Sequence, residues 1–372
     1  MYSIYPCDTP CKVQDGLYAR PLANPLLTYK PTRIGLWYAS LCFGEKNPYH
    51  RFQTALSVRS IGRLDEEFDV VVSEEPQMTT AAFHVASSCG PSVLLNKHNA
   101  MYVLVDQLLS DRPVPDRLHT RAVETLRRQE QAAIDRADAV VFQSERDREA
   151  FSVSSGTVVA TIPNGTEYDA LNEGGDPVSV SERFGLSPEK IYAVYVGSYD
   201  YQPNRDVAIR IANEFAPALP EVEFLLVGRQ PPELDVPENV HRLGFVEDLP
   251  GVLSAADIAI CPLRHGRGTK LKMMDYLAAG LPIVTTPVGA DGIDVINGQD
   301  VLIRSETNAF VEAIQALATN EGLRNRIGAR ASEVGRTYSW DNVLEEYGDV
   351  MDHRLDQHAG NHVKPVIPGG SR

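Results

Sequence analysis

The chain has 372 residues, of which 43% are hydrophobic and 23% are charged, and this composition predicts a globular protein with two domains. Its formal net charge of −15 comes without a long basic block, which argues against a nucleic-acid-binding protein. Neither a secretory signal nor an apolar run of about 18 residues is recognisable, so we predict no membrane-spanning helix and expect a cytoplasmic location.

The N-terminal segment lacks the pattern with which an α/β domain usually opens, namely a strand, a glycine-containing turn and a helix. Residues 1–5 resemble a fragment of a strand, residues 6–30 a loop and residues 49–64 a helix. Two explanations stay open: the recorded start is late, or the first domain is degenerate. The first domain is therefore expected to lack its opening strand–helix unit, and whether the recorded chain is active is left open.

Apolar runs and helical patterns alternate from residue 67 onward, as in right-handed βαβ units that build a parallel sheet. The predicted strands of this first series are 68–72, 92–95, 139–142 and 158–162, and the predicted helices are 79–88 and 120–137. A polar, glycine-rich segment over 171–180 then predicts a linker between domains.

A second alternating series follows the linker. Its predicted strands are 192–196, 224–228, 258–261, 283–285 and 301–303, and its predicted helices are 204–215, 249–255, 270–279, 309–319 and 321–338. We therefore predict an α/β protein with two doubly wound domains, residues 1–170 and 171–339, and a cleft at the carboxyl ends of their sheets. Residues 359–372 are predicted to be a disordered tail.

The stretch 264–287 combines a glycine-containing loop, a short helix and a strand. Gly268 lets the backbone come close to a ligand, Thr269 is predicted to cap a helix over 270–279, and Gly280 is predicted to end that helix. Leu271, Met274 and Ala278 are expected to share its apolar face.

The head of this helix is predicted to bind a diphosphate. Its free N–H groups carry partial positive charge, and Lys270 and Lys272 add full charges in a lysine-poor chain. Asp275 lies one turn later, where a carboxylate can accept hydrogen bonds from ribose hydroxyls. The alternative is an ordinary capped helix with solvated lysines.

Three other positions follow predicted strands and suit ligand binding. Gly197 and Ser198 precede a helix start, as in a second anion site. Arg229 brings a permanent cation suited to phosphate, and His98 suits hydrogen bonding to a sugar or stabilisation of charge. For each, an ordinary structural role is the alternative.

Two common catalytic motifs are missing from the sequence. It has no Asp-x-Asp pair, the usual metal clamp for a sugar diphosphate, and no Gly-x-Ser-x-Gly hydrolase motif. We therefore predict neither a metal site nor a serine hydrolase.

The order of these motifs resembles the retaining family-four glycosyltransferases of the GT-B fold. The residues that carry the resemblance are Gly197-Ser198, Pro203-Asn204, Gly228-Arg229, Gly244-Phe245-Val246, Gly268-Thr269-Lys270-Leu271-Lys272, Asp275 and Ala279-Gly280-Leu281-Pro282. Ile162-Pro163-Asn164-Gly165 resembles the crossover into the second domain of that family. Ser339-Trp340 resembles the start of its final helix, over 340–358, which returns to the first domain.

The resemblance implies two Rossmann-like domains that face a central cleft, with the acceptor on the first and a nucleotide-diphosphate sugar on the second. It implies that the donor contacts Asp275, through its ribose, and Gly197, Ser198, Arg229, Gly268, Thr269, Lys270 and Leu271. His98 and Lys272 are implied as catalytic residues, near the donor sugar and the diphosphate. No cofactor or metal is implied, since the nucleotide sugar is a co-substrate.

Arg267 and Asp275 stand where the family often has two glutamates, which weakens the case for a carboxylate near the sugar. The predicted function is metal-independent, retaining transfer of a sugar to a hydroxyl of a glycan, polysaccharide or lipid-linked acceptor. A nucleotide-sugar epimerase on the same fold and a non-catalytic sugar-nucleotide-binding relative stay open. Peripheral contact with the inner face of the membrane and the oligomeric state are also left open.

Overall fold

The computed structural model describes residues 2–3, 11–14, 17–21, 68–74, 79–110, 113–232, 235–266 and 268–361. The chain divides into two compact units. The first comprises Met1–Phe142, Asp147–Thr161 and Gly348–Arg372, and the second comprises Gln143–Arg146 and Ile162–Tyr347. The division at Thr161 and Ile162 lies nine residues before the boundary expected from the sequence.

The first unit contains a four-stranded parallel sheet in which chain order and spatial order agree. Its strands are β4 (Val70–Glu74), β5 (Ser92–Lys97), β6 (Ala139–Phe142) and β7 (Val158–Thr161). β5 and β6 are buried along their whole length, as expected for apolar strands covered on both faces. The predicted parallel arrangement is confirmed, although β4 begins and ends two residues later than predicted.

The helices between these strands are α1 (Thr79–Cys89), α2 (Met101–Ser110), α3 (Asp116–Arg136) and the short α4 (Glu145–Arg148). α2 is missing from the sequence prediction because its apolar residues do not stand apart from the neighbouring strand pattern. It begins where Glu130 accepts hydrogen bonds from the N–H groups of Met101 and Tyr102, at 3.0 and 2.9 Å.

The described part of the N-terminal segment forms three short strands, β1 (Tyr2–Ser3), β2 (Cys11–Gln14) and β3 (Leu17–Pro21). β3 pairs in parallel with β1 and antiparallel with β2. The predicted helix over 49–64 lies outside the described residues, as does most of the region expected to lack an opening strand–helix unit.

The second unit contains a six-stranded parallel sheet with the order β10-β9-β8-β11-β12-β13. These strands are β8 (Ile191–Val196), β9 (Val222–Val227), β10 (Val240–Gly244), β11 (Ile258–Cys261), β12 (Ile283–Thr285) and β13 (Leu302–Ile303). Counted within this unit, the order is 3-2-1-4-5-6, that of a doubly wound nucleotide-binding domain. β10 was not predicted because polar residues interrupt its short apolar pattern.

The helices of this unit are α5 (Tyr168–Glu173), α6 (Pro177–Phe184), α7 (Gln202–Arg210), α8 (Leu249–Ser254), α9 (Leu271–Ala278), α10 (Thr307–Thr319) and α11 (Glu321–Thr337). α7 continues as a π-helical turn over Ile211–Phe215. Most of the predicted helices are recovered to within a few residues.

The segment predicted as a linker, 171–180, is instead part of two helices. Asp176 caps α6 by accepting hydrogen bonds from the N–H groups of Val178 and Ser179, and Pro177 occupies the first helical position. Leu171 and Val180 are buried in the core of the second unit. The glycines therefore separate two short helices rather than two domains.

The last helix, α12, spans Trp340–Asn361 and includes the whole predicted helix 340–358. Its residues from Gly348 onward belong to the first unit. Residues 359–361 of the predicted disordered tail, 359–372, instead belong to α12, and the rest of that tail lies outside the described residues. None of the helices formed by the described residues combines the length and hydrophobicity needed to span a lipid bilayer.

Candidate functional site

The order of the strands in the second unit identifies where a ligand is expected to bind. β8 and β11 are neighbours in the sheet, and the chain leaves them toward opposite edges. Ligands of open parallel sheets bind beyond the carboxyl ends of the strands at such a reversal. The two loops at this position are residues 197–201 and 262–270, which contain most of the predicted donor-binding residues.

The loop after β11 leads into α9 with an unusual backbone. Gly268 is buried and has φ of +69°, and Gly266 has φ of +139°, so both need glycine. α9 begins at Leu271 with Lys270 as its N-cap residue, and no side chain caps it. The predicted cap by Thr269 is wrong, because its hydroxyl accepts a hydrogen bond from Asn164 instead, at 3.0 Å.

The first turn of α9 leaves its donors available. Among the described residues, the N–H groups of Leu271 and Lys272 have no hydrogen-bond acceptor. The Leu271 side chain is 55% exposed, so its predicted place on the buried face of the helix is wrong. Gly280, with φ of +67°, follows the C-cap residue as predicted.

Lys272 turns its ammonium toward the end of β8. The ammonium donates hydrogen bonds to the hydroxyl of Tyr195, at 2.8 Å, and to Oδ1 of Asn204, at 2.9 Å. The Tyr195 hydroxyl donates to the same oxygen of Asn204, at 2.6 Å. Lys272 has no carboxylate partner among the described residues.

Burial lowers the pKa of Lys272 to about 8, and the charge of Lys270 contributes in the same direction. Cys261 lies close enough to act on it, but burial raises the pKa of this thiol, so it stays neutral at pH 7. The ammonium is therefore a desolvated cation without a countercharge from the described part of the chain. An anion bound there would gain strongly from this charge.

Two glycines make room beside this ammonium. A Cβ on Gly197 would lie 3.0 Å from Lys272 Nζ and 2.9 Å from the amide of Asn204. A Cβ on Gly228, at the end of β9, would lie 1.9 Å from the carbonyl oxygen of Gly197. Ser198 is exposed and its carbonyl accepts a hydrogen bond from Asn204, at 2.7 Å.

Lys270 has a different environment from Lys272. Its ammonium donates to the carbonyl of Gly268 and thereby helps to hold the loop in shape. Both lysines lie at the head of α9, and the Lys272 ammonium bonds Tyr195 of β8 and Asn204 of α7.

Arg229 lies at the carboxyl end of β9 and is exposed. Its guanidinium carbon is 5.0 Å from the centre of the Phe245 ring, at the end of β10, and that side chain is 56% exposed. The predicted cation is therefore paired with an aromatic ring that the sequence analysis did not assign to the site. An exposed Arg–Phe pair offers a flat, cationic surface.

Asp275 faces residue 166 rather than open solvent. The hydroxyl of Thr166 donates a hydrogen bond to Oδ1 of Asp275, at 2.7 Å. Burial raises the pKa of the Asp275 carboxyl, and the hydrogen bond from Thr166 opposes that shift. No other side chain of the described residues bonds this carboxylate.

His98 belongs to the first unit, just after β5. Its Nε2 atom lies 2.7 Å from Oε2 of Glu74, and the amide of Asn96 donates to the same oxygen, at 2.9 Å. Glu74 and His98 thus end adjacent strands, which is how the two side chains meet.

Three residues of the site were not predicted from the sequence, namely Tyr195, Asn204 and Thr166. Tyr195 is a fully buried strand residue with a polar tip, which normally needs a hydrogen-bond partner. Asn204 is a buried amide in the first turn of α7 and carries the same signal. Only the fold shows that the Lys272 ammonium is a hydrogen-bonding partner of both side chains.

Residues 190–320 match the family described as "Glycosyl transferases group 1". The chain is also 25% identical over 211 residues to a phosphatidyl-myo-inositol mannosyltransferase of Mycobacterium leprae, covering 53% of this chain and 54% of that protein. The chain spans about half the length of the curated relatives it matches. The family match includes the loop after β8, Arg229 and α9.

Solved glycosyltransferase structures share the fold. Sucrose-phosphate synthase from Thermosynechococcus elongatus superposes with a TM-score of 0.68 at 18% identity, covering 94% of this chain and 86% of that one. Anabaena HepE in complex with UDP-glucose gives 0.59 at 14% identity, covering 84% and 82%. The predicted fold class, a GT-B architecture of two parallel-sheet α/β domains, is confirmed.

Proposed function

We propose that the protein is a retaining glycosyltransferase of family four, which transfers a sugar from a nucleotide-diphosphate sugar to a hydroxyl acceptor. One observation carries the proposal: at the strand-order reversal, α9 begins with N–H groups that no side chain caps, and the half-buried ammonium of Lys272 reaches across to Tyr195 on β8. Desolvated donors of this kind favour an anion, and a diphosphate is the anion that a nucleotide sugar releases.

The leaving group determines the roles of the α9 residues. As the bond from the anomeric carbon to the diphosphate oxygen breaks, negative charge grows on the diphosphate. The N–H groups from Gly268 to Lys272 and the ammonium of Lys272 stabilise that charge more in the transition state than in the ground state. The positive charge that the protein itself supplies here supports metal-independent transfer.

The other predicted residues receive roles around the donor. Asp275 accepts hydrogen bonds from the ribose, and Gly197 and Ser198 line the diphosphate from the β8 side. Arg229 and Phe245 present their exposed surface to the nucleoside. His98 of the first unit contacts the donor sugar and orients it, with Glu74 holding its imidazole.

The acceptor is assigned only as a class. The relative from Mycobacterium leprae is named as a mannosyltransferase that acts on phosphatidyl-myo-inositol. We propose a glycan, polysaccharide or lipid-linked acceptor.

The proposal is tested first by ligand binding and then by turnover. A panel of nucleotide sugars is screened for thermal stabilisation, since a bound ligand raises stability by mass action. The stabilising donor is then incubated with candidate acceptors, and products are identified with and without acceptor. Transfer with retained anomeric configuration supports the proposal, whereas epimerised donor or tight binding without any turnover contradicts it.

The matched variants are Lys272→Met and Lys190→Met. Lys272→Met is expected to lower turnover by on the order of 100-fold, the scale of removing one oxyanion donor. Lys190 lies in the same unit, is half-exposed and pairs with Glu223 at 3.1 Å, so Lys190→Met is expected to leave turnover unchanged. Equal activity of the two variants would remove Lys272 from the diphosphate site.

A further inference from the structure

The segment that enters the second unit, residues 163–166, contacts both ends of the proposed donor site. We call it the crossover segment. The amide of Asn164 donates to Oε1 of Gln143, at 2.8 Å, and to the hydroxyl of Thr269, at 3.0 Å. The hydroxyl of Thr166 donates to Asp275, at 2.7 Å. Two side chains of one short segment therefore reach the loop before α9 and the middle of α9.

The backbone of the crossover segment is fixed from its other side. The N–H of Thr166 donates to the carbonyl of Tyr338, at 2.8 Å, and the N–H of Trp340 donates to the carbonyl of Thr166, at 3.1 Å. A Cβ on Gly165 would lie 2.5 Å from the Trp340 indole, so the ring packs directly on this glycine. The segment is thus held in place by residues that do not belong to the donor site.

We infer that Asn164 and Thr166 are positioning residues of the donor site, Thr166 setting the Asp275 carboxylate for the ribose and Asn164 setting the loop for the diphosphate. The inference rests on the proposed function. It assigns different parts of the ligand to the two side chains, which a purely structural role would not do.

The case for Thr166 follows from the geometry of one carboxylate. Thr166 bonds Oδ1 of Asp275 and leaves Oδ2 without a partner among the described residues. A ribose cis-diol needs an ionised, correctly oriented carboxylate as acceptor. The hydroxyl of Thr166 supplies both, since it fixes the rotation of the group and stabilises its charged form against the effect of burial.

The case for Asn164 follows from the missing cap of α9. Thr269 does not cap the helix, because its hydroxyl is engaged by Asn164. Gly292, with φ of +79°, leaves no space around Thr269: a Cβ there would lie 2.7 Å from Thr269 Cγ2. Asn164 and this contact hold the loop so that its N–H groups stay directed at a ligand instead of at Thr269.

The experiment compares two ligands that differ only in the ribose. ADP, GDP and UDP are titrated into the full-length protein by calorimetry, and the tightest of the three is paired with its 2′,3′-dideoxy analogue. Thr166→Val is expected to weaken binding of the ribose form about tenfold, the scale of one hydrogen bond to a charged group, and to leave the dideoxy form unchanged. Asn164→Ala is expected to weaken both forms several-fold.

Conservative and control variants separate positioning from folding. Thr166→Ser keeps the hydroxyl and is expected to restore wild-type affinity. Thr166→Ala removes the hydroxyl together with the γ-methyl and introduces no new group, and it must reproduce the ribose-specific loss if Thr166→Val does not fold. Thr319→Val removes an exposed hydroxyl that bonds the Gln315 carbonyl, and is expected to change neither affinity.

The outcomes distinguish this inference from the proposed function. Wild-type protein that binds none of the three diphosphates overturns both. Wild-type binding with equal losses for ribose and dideoxy ligands in Thr166→Val, or with no loss in either, overturns the positioning role alone. Thr166→Ser that binds as weakly as Thr166→Val has the same meaning.

Discussion

The ammonium of Lys272 lies 2.8 Å from the hydroxyl of Tyr195 and 4.1 Å from the centre of its ring. Together with Asn204, which accepts hydrogen bonds from both, the two residues form a closed triangle without a negative charge. A lysine ammonium has three donors, and these contacts use two of them. The third donor and the uncompensated charge are what a diphosphate would take up.

The affinity for a nucleoside diphosphate is expected to fall as the pH rises through about 8. Burial lowers the pKa of Lys272 to about 8 in the free protein, and a bound diphosphate favours the charged form and raises that pKa. Above the free-protein pKa, binding must therefore take up a proton, so affinity declines. Calorimetric titration from pH 6 to pH 9.5 measures the decline.

Lys272→Arg tests whether deprotonation of Lys272 causes this decline in affinity. Lys272→Arg keeps its charge throughout the range and should remove the decline, even if its shape lowers affinity overall.

Without ligand, the folded-state pKa of Lys272 lies below the unfolded value of 10.5, so the unfolded chain binds more protons between those values. The stability of the wild type relative to Lys272→Met should therefore rise with pH in that window.

Replacing Asn204 with aspartate tests whether diphosphate binding depends on the Lys272 ammonium having no carboxylate beside it. Asn204→Asp is nearly isosteric and places a carboxylate 2.9 Å from the ammonium of Lys272. The internal ion pair should raise the pKa of Lys272 and compensate its positive charge. Diphosphate affinity is therefore expected to fall by about tenfold or more. Asn204→Ser removes the acceptor without adding charge and should reduce affinity less, which calorimetry on both variants will show.

Much of this helix head is predictable from local sequence, because glycines and lysines act within a few residues of one another. The helix bounds and the role of Gly280 follow from Ala279-Gly280-Leu281-Pro282 and its apolar neighbours. The N-cap was misassigned because the partner of Thr269 is Asn164, 105 positions away in the chain. A single sequence contains no signal that relates such distant side chains.

The same limit applies to Lys272 and Arg229. Their charge is evident from the sequence, but the environment of Lys272 depends on Tyr195 of β8 and Asn204 of α7, which are distant from it in the chain. Phe245 follows a strand that the sequence pattern does not reveal, so its pairing with Arg229 was not predictable. Contacts between residues distant in the chain therefore determine the chemistry of residues that local sequence patterns identify only as candidates.

Phe245→Ala is expected to weaken nucleotide binding while leaving the fold intact. The side chain is 56% exposed, so its removal should change the free energy of unfolding by less than about 0.5 kcal/mol. Stacking of a base on an aromatic ring is worth about 1–3 kcal/mol by alanine substitution, which corresponds to a loss of roughly tenfold or more. Leu344→Ala, at a residue 60% exposed on α12, is the control and should bind normally. Unchanged affinity in Phe245→Ala would contradict the nucleoside contact.

In the first unit, the buried pair of Lys97 and Glu130 predicts a large effect on stability. Lys97 is the last residue of β5, directly before His98, and both members of the pair are at most 2% exposed. Glu130 also accepts hydrogen bonds from the first N–H groups of α2, so its carboxyl group would stay buried without the Lys97 cation if Lys97 were lost. Lys97→Met is expected to lower the free energy of unfolding by about 3–5 kcal/mol.

A second substitution tests whether this loss of stability comes from the Glu130 carboxyl group left without its cationic partner. Adding Glu130→Gln neutralises the remaining carboxylate and keeps one oxygen, which can accept from one of the two N–H groups, of Met101 or of Tyr102, that bond separate oxygens of Glu130. The double variant should therefore be more stable than Lys97→Met alone, and urea unfolding of the wild type and the three variants gives the coupling. If Glu130→Gln deepens the loss instead, the hydrogen bonds at the start of α2 dominate over the charge, and Glu130 stabilises the unit chiefly as a cap.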